Sequence, residues 1–225
     1  MEKYYTPETN QSAEPLSMNN LIKYVKKEDA ICKIIVNSYT GTGFFCQVTI
    51  KNKTIKLLFT CSHVLNQSNI QFGSIIELKQ KDRIKNIKIT KNRFVCTNEE
   101  LNYTCIEIFY NEEVDNYFQI DPNINCNNPN IEYKNELIAI IQYPGNKDLS
   151  IAEGKIIEIK ENLKIYHSVP TMNGSAGSPI ILTNKNLNII GMHQAKSQSK
   201  RCGMGIYFKN VLEDLEKQYL KFIEK

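Results

Sequence analysis

Three short segments hold side chains and bends suited to moving a proton and to holding a developing negative charge. The first is Leu57-Leu58-Phe59-Thr60-Cys61-Ser62-His63-Val64-Leu65, an apolar run that ends on a histidine. A strand there fixes the backbone while the turn after it leaves the imidazole in solvent, which suits a general base. The second is Asn173-Gly174-Ser175-Ala176-Gly177-Ser178-Pro179-Ile180. Glycines on both sides of a small residue permit a tight bend that aims two backbone N–H groups into one space, the arrangement an oxyanion needs. The third is Ile189-Ile190-Gly191-Met192-His193-Gln194-Ala195, a strand that carries a titratable side chain past its apolar core. Each has a plainer reading in isolation. A histidine beside an apolar run is more often structural, and a Gly/Ser bend is more often an ordinary hairpin turn.

The elements that must position these segments are short β runs. In the first half they cover Ile31 to Val36, Gly43 to Ile50, Thr54 to Thr60, Ile75 to Leu78, Ile84 to Ile89 and Tyr103 to Phe109. In the second half they cover Leu137 to Gln142, Lys155 to Ile159, Ile165 to Val169, Ser178 to Leu182, Leu187 to Met192 and Gly203 to Phe208. Many short strands with Asn/Gly/Asp/Lys punctuation predict closed β-barrels or a sandwich. The Asn-rich stretch from Asp121 to Asn130 reads as a connector between halves of similar length. Helical spacing of Leu21, Ile22 and Val25 predicts a short helix from Met18 to about Asp29. Val211, Leu212, Leu215, Tyr219, Leu220, Phe222 and Ile223 form one stripe of a C-terminal amphipathic helix, about 209–225, packed on the body. Residues 1–16 are polar, with Pro7 and Pro15, and read as a flexible tail.

With 225 residues, 41% hydrophobic and 23% charged, the chain has the make-up of a soluble globular protein. A net charge of +4 is scattered, with no basic run interleaved with aromatics, so a nucleic-acid footprint is not expected. The seven cysteines form no CxxC pair and no cluster with zinc-ligand spacing, so neither metal nor cofactor is expected. Their odd number and the absence of an apolar leader predict a reducing, cytoplasmic setting, or secretion if a leader has been removed. No stretch is long enough to span a bilayer.

Taken in order, five motifs resemble the trypsin-like serine peptidases of the glutamyl endopeptidase, HtrA and viral chymotrypsin-like groups. They are Gly41-Thr42-Gly43-Phe44, Thr60-Cys61-Ser62-His63-Val64, Asn102-Tyr103-Thr104-Cys105-Ile106, Gly174-Ser175-Ala176-Gly177-Ser178-Pro179 and Gly191-Met192-His193, covering about residues 30–210. The resemblance implies two six-stranded antiparallel β-barrels of the chymotrypsin type, at about 30–120 and 131–208, within a peptidase domain of residues 17–225. It implies a triad at His63, Asn102 and residue 176, with the N–H groups of Gly174 and residue 176 as the oxyanion hole.

Two positions depart from the family pattern. Where the family has its nucleophilic Ser, this chain has Ala176, and Ser175 and Ser178, each displaced along the tight turn, are not expected to face the histidine in its place. A deliberate Ser→Ala change, or less readily Cys→Ala, is the favoured reading; a natural pseudoprotease that binds peptides or proteins is the alternative. Where the family has Asp, the chain has Asn102, which can orient the imidazole without stabilising its cation. Asn102 as third member, a charge supplied by Glu99 or Glu100, and a second inactivating change all remain open. Thr171 and His193 resemble the specificity pair of enzymes that cut after Glu or Gln, and 168–173 hold no Asp for a basic side chain. The expected partner is a protein or peptide substrate, with Glu preferred over Gln. His167 reads as structural or as a lesser wall of the same pocket.

Overall fold

The computed structural model describes residues 18–36, 39–160, 163–184, 186–197 and 199–224. The polar stretch 1–16 lies outside them. Helix α1 (Met18–Val25) is followed by a 3-10 turn at Glu28–Ala30, so the helix expected to run to Asp29 is shorter. The first sheet is built from β1 (Ile31–Val36), β2 (Tyr39–Ile50), β3 (Lys53–Thr60), β4 (Ile75–Gln80), β5 (Arg83–Lys88), β6 (Val95–Asn98), β7 (Tyr103–Glu107) and β8 (Phe118–Gln119). Its order is β5-β4-β1-β2-β3-β7-β6, antiparallel throughout, with β8 added parallel to β2. A two-residue loop joins β2 to β3: Lys51 and Asn52 have φ of 44° and 68°, the left-handed pair that matches the twist of a tight hairpin.

The second half holds β9 (Leu137–Gln142), β10 (Ser150–Ile159), β11 (Lys164–His167), β12 (Pro179–Leu182), β13 (Ile189–Ser197) and β14 (Cys202–Tyr207). These close into a six-stranded antiparallel barrel, in the order β10-β11-β14-β13-β12-β9. The first half departs from the expected six strands. The sheet has eight strands among the described residues, because 95–98, outside the expected runs, pairs with β7, and Phe118 finds a buried place beside Cys46. The stretch expected as a connector carries a 3-10 turn at Pro122–Asn125 and a short helix α2 (Pro129–Tyr133). Asp121 pins it from within, accepting from Asn123 N at 3.0 Å and Tyr133 Oη at 2.8 Å.

Helix α3 (Phe208–Ile223) leaves the closed barrel and packs onto the first sheet. Its buried residues Phe208, Val211, Leu215 and Tyr219 recur every three or four positions, as one helical face requires. The Phe208 ring lies 5.3 Å from that of Phe59, and the Tyr219 ring 5.1 Å from that of Phe94. Asp214 fixes the helix to the β6–β7 hairpin, accepting from Tyr103 Oη at 2.6 Å and Asn98 Nδ2 at 3.1 Å. One hydrophobic cluster runs through both sheets and α3. No helix among the described residues is long and apolar enough to cross a membrane.

Leu215 is fully buried under α3. Leu215→Ala is therefore expected to cost about 2–5 kcal/mol of unfolding free energy, read as a lower urea midpoint with an unchanged slope.

Candidate active site

Beyond the end of β3 the chain turns sharply, with Val64 N and Leu65 N both donating to Cys61 O at 3.0 Å. The turn leaves His63 exposed. Asn102 stands opposite, in the loop between β6 and β7, at φ 51°, a left-handed conformation that Asn tolerates better than most residues. Its Oδ1 meets His63 Nδ1 at 3.0 Å, the His63 backbone N–H at 3.3 Å and Ser62 Oγ at 3.0 Å. A backbone N–H can only donate, so the oxygen of the amide, and not its nitrogen, faces His63. Nδ1 of the imidazole then carries a proton, and Nε2 of the neutral ring is left as an acceptor. Glu99 and Glu100 are both exposed, and among the described residues no hydrogen bond or ion pair joins either carboxylate to His63. Glu99 contributes only its backbone oxygen, which takes Asn102 N at 3.2 Å.

The bend at 174–177 is shaped by two glycines with positive φ, 88° at Gly174 and 90° at Gly177. A Cβ on Gly174 would stand 2.4 Å from Tyr143 O, and one on Gly177 would stand 2.0 Å from Thr42 O. Four carbonyls of the bend are spoken for. Asn173 O takes Gly145 N at 2.6 Å, Gly174 O takes Thr42 Oγ1 at 2.8 Å, Ser175 O takes Ser178 N at 3.2 Å and Ala176 O takes Thr42 N at 2.9 Å. In a trans peptide the N–H points opposite to the C=O. The partners of Asn173 O and Ser175 O thus turn the N–H groups of Gly174 and Ala176 the other way, and among the described residues neither finds an acceptor. Ser175 is buried, its Oγ accepting from Met172 N at 3.1 Å, and Ser178 is buried too.

Histidine and bend are brought to one place by strand β13. The carbonyl of His193 accepts from Gly177 N at 2.9 Å and from Cys61 Sγ at 3.4 Å. Cys61 lies two residues before His63, and Gly177 one residue after Ala176. Thr60 Oγ1 adds a bond to Thr42 O at 2.9 Å, beside Gly177.

On the other side of β13, His193 Nδ1 lies 3.1 Å from His167 Nε2, and both rings are buried. Burial, and then the neighbouring charges of His167, His63 and Lys196, press the His193 imidazole down to about 3; burial alone takes His167 to about 4. Thr171 is only 3% exposed, and its Oγ1 has no partner among the described residues. Gln194 escaped the sequence reading. Its Nε2 donates to Leu101 O at 2.8 Å and Asn102 O at 3.2 Å, while its Oε1 accepts from Lys164 Nζ at 2.9 Å. The signal was available: a residue next to His193 on a strand must face the opposite way, and a bulge between His193 and Ala195 sharpens that turn.

No protein-family model matches the sequence, and no curated protein matches it. Solved structures do. The inactive Ser-to-Ala form of Rv3671c from Mycobacterium tuberculosis superposes with a TM-score of 0.67 at 15% identity, over 93% of this chain and 95% of that one. The serine endoprotease of Yersinia pestis gives 0.66 at 14%, over 91% of this chain and 67% of that one. The serine protease of a human pathogenic astrovirus gives 0.57 at 17%, over 82% and 93%. The chain therefore has the chymotrypsin-type fold of the trypsin-like and HtrA-type serine proteases.

The buried histidine pair makes stability depend on pH. Both groups titrate lower in the folded chain than in the unfolded one, so the unfolded state binds more protons below the ordinary histidine range. Stability is complete above about pH 6.5 and declines as pH falls toward 4 and then 3. Thermal midpoints recorded across that interval should drop, and should drop less steeply in a His167→Gln/His193→Gln double variant.

Proposed function

We propose that the chain carries the site of a trypsin-class serine endopeptidase from which the nucleophile is missing. The observation that carries this reading is the convergence at the His193 carbonyl of the strand end leading to His63 and the bend holding Ala176. With Ala176→Ser, the new hydroxyl would attack a peptide carbonyl while His63 Nε2 takes its proton and later returns it to the leaving amine. Asn102 holds the imidazole in the required tautomer. The N–H groups of Gly174 and residue 176 would bind the oxyanion, each worth roughly 3–4 kcal/mol in the transition state. An acyl-enzyme forms, and water releases it. No metal or cofactor enters this scheme.

Thr171 and His193 are proposed to read the side chain that precedes the cut bond. The buried, unpartnered Thr171 hydroxyl supports this, because such a group costs about 1–3 kcal/mol unless a ligand satisfies it. His193 can donate from Nε2 if its Nδ1 accepts from His167 Nε2, which leaves His167 Nδ1 as a bare acceptor, in keeping with its lack of a partner. A hydroxyl and an imidazole N–H together suit a carboxylate or a carboxamide, so Glu is preferred over Gln. The peptidase unit is taken as residues 17–225, and its seven unpaired thiols suit a reducing compartment.

A second reading has its own support. Ala176 removes the nucleophile and Asn102 removes the charge that stabilises imidazolium, so two chemically separate parts of catalysis are missing together. That pattern favours a natural peptide-binding module over a single deliberate substitution. Ser encoded at 176 in the natural gene would restore the enzyme reading.

Ala176→Ser should make the protein label with a fluorophosphonate and cleave a peptide library after Glu, then Gln. Cleavage chiefly after Lys or Arg would remove the specificity assignment. Adding Asn102→Asp to Ala176→Ser should raise kcat by about 10²–10⁴ with little change in KM.

A further inference from the structure

Each of the two departures that disable catalysis also makes the site a better receptor for an anion. We infer that this chain recognises the free carboxylate end of a peptide whose last residue is Glu or Gln. The inference rests on the reading of this groove as a peptide site, and it names the ligand that the unmodified chain takes.

The first ground is the pair of unmatched backbone donors. Gly174 N–H and Ala176 N–H are fixed by the partners of the preceding carbonyls, and they meet no acceptor among the described residues. Both residues are partly exposed, so a ligand can reach them. Backbone N–H groups gathered in a bend of this kind capture carboxylates. A hydrogen bond to an ionised oxygen is roughly twice as strong as one to a neutral carbonyl. The pair therefore favours a chain end over an internal peptide bond.

Space is the second ground. An internal peptide bond offers the bend one oxygen, with a nitrogen and the rest of the chain beyond it. A chain end offers two oxygens on one carbon. A serine at 176 would place its hydroxyl oxygen against that carbon; the Ala176 methyl leaves the place between the bend and His63 to the second carboxylate oxygen. Asn102 Oδ1 fixes the His63 Nδ1–H, so Nε2 is the ring atom that faces this oxygen, and a water that donates to both joins them.

The third ground is charge. Asp at 102 would set a full negative charge directly behind the imidazole, where it repels an incoming carboxylate. Asn102 keeps the geometry and removes that charge. Behind it stands Gln194, a second neutral amide, whose Oε1 is held by the ammonium of Lys164. Gln194 bonds the backbone oxygens of Leu101 and Asn102, not the Asn102 side chain, and brings no carboxylate behind His63. Thr171 and His193 then take the side chain of the terminal residue, which sets Glu and Gln apart from other ends.

Three acetylated, alanine-rich peptides test this on the full chain by calorimetry: a hexapeptide ending in Glu as the free acid, the same hexapeptide as the C-terminal amide, and a decapeptide that continues past the Glu. The free acid is expected to bind about tenfold or more tightly than either of the others. Asn102→Asp, which keeps every hydrogen bond but restores the charge, should weaken the free acid several-fold and leave the amide unchanged. A free-acid hexapeptide ending in Lys should bind no better than the amide. If the amide or the decapeptide binds as tightly as the free acid, the inference falls while the groove remains a peptide site. If none of the peptides binds, the peptide-groove reading falls with it.

Discussion

The carbonyl of His193 accepts a backbone N–H from Gly177 at 2.9 Å and the thiol of Cys61 at 3.4 Å, and three segments far apart in sequence are held by that one oxygen. One segment ends β3 and leads to His63. Another is the bend with Ala176. The third is β13, which carries His193 toward His167 and Gln194 toward the backbone of Asn102. Because β3 belongs to the first sheet and β13 to the closed barrel, the geometry of the site is set by how the two halves seat on each other. The shared hydrophobic cluster and the packing of α3 from the closed barrel onto the first sheet hold that seating together.

Local strain at the site is concentrated where the backbone must present donors. Gly174 and Gly177 sit at φ near 90°, with backbone atoms within 2.4 Å of where a Cβ would be. These are costs that only glycine avoids. They are met by a bend in which the carbonyls of residues 173–176 all find donors while the N–H groups of Gly174 and Ala176 meet no acceptor among the described residues. A turn needed only for chain reversal has no reason to separate donors from acceptors in this way.

Most of the buried polar side-chain atoms without partners among the described residues belong to the second half of the chain. Thr171 Oγ1, Ser178 Oγ, His167 Nδ1 and Gln142 Oε1 are four of them. Each lowers stability unless something satisfies it, and such groups persist in folded proteins chiefly where a ligand or water does so. Gln142 ends β9, His167 ends β11, and Thr171 and Ser178 lie in the loop that leads into β12.

Much of this was legible in the residues alone. The alternation and turn chemistry of the chain predicted a mainly β fold with a helix at each end, because period-two burial and left-handed turn residues are local properties. Gly174, Gly177 and the apolar run into His63 were legible for the same reason: each records a demand its own few residues must meet. Other features depend on contacts between distant segments. The eighth strand of the first sheet exists because Phe118 can be buried beside Cys46, a fact no window around residue 118 contains. The exclusion of Glu99 and Glu100 as partners of His63 follows from the left-handed turn that aims Asn102 inward and leaves both acids in solvent. Only tertiary structure could pair His167 with His193, or place Gln194 and Lys164 behind Asn102, since those bonds join strands whose neighbours in space are decided by barrel closure and not by order along the chain.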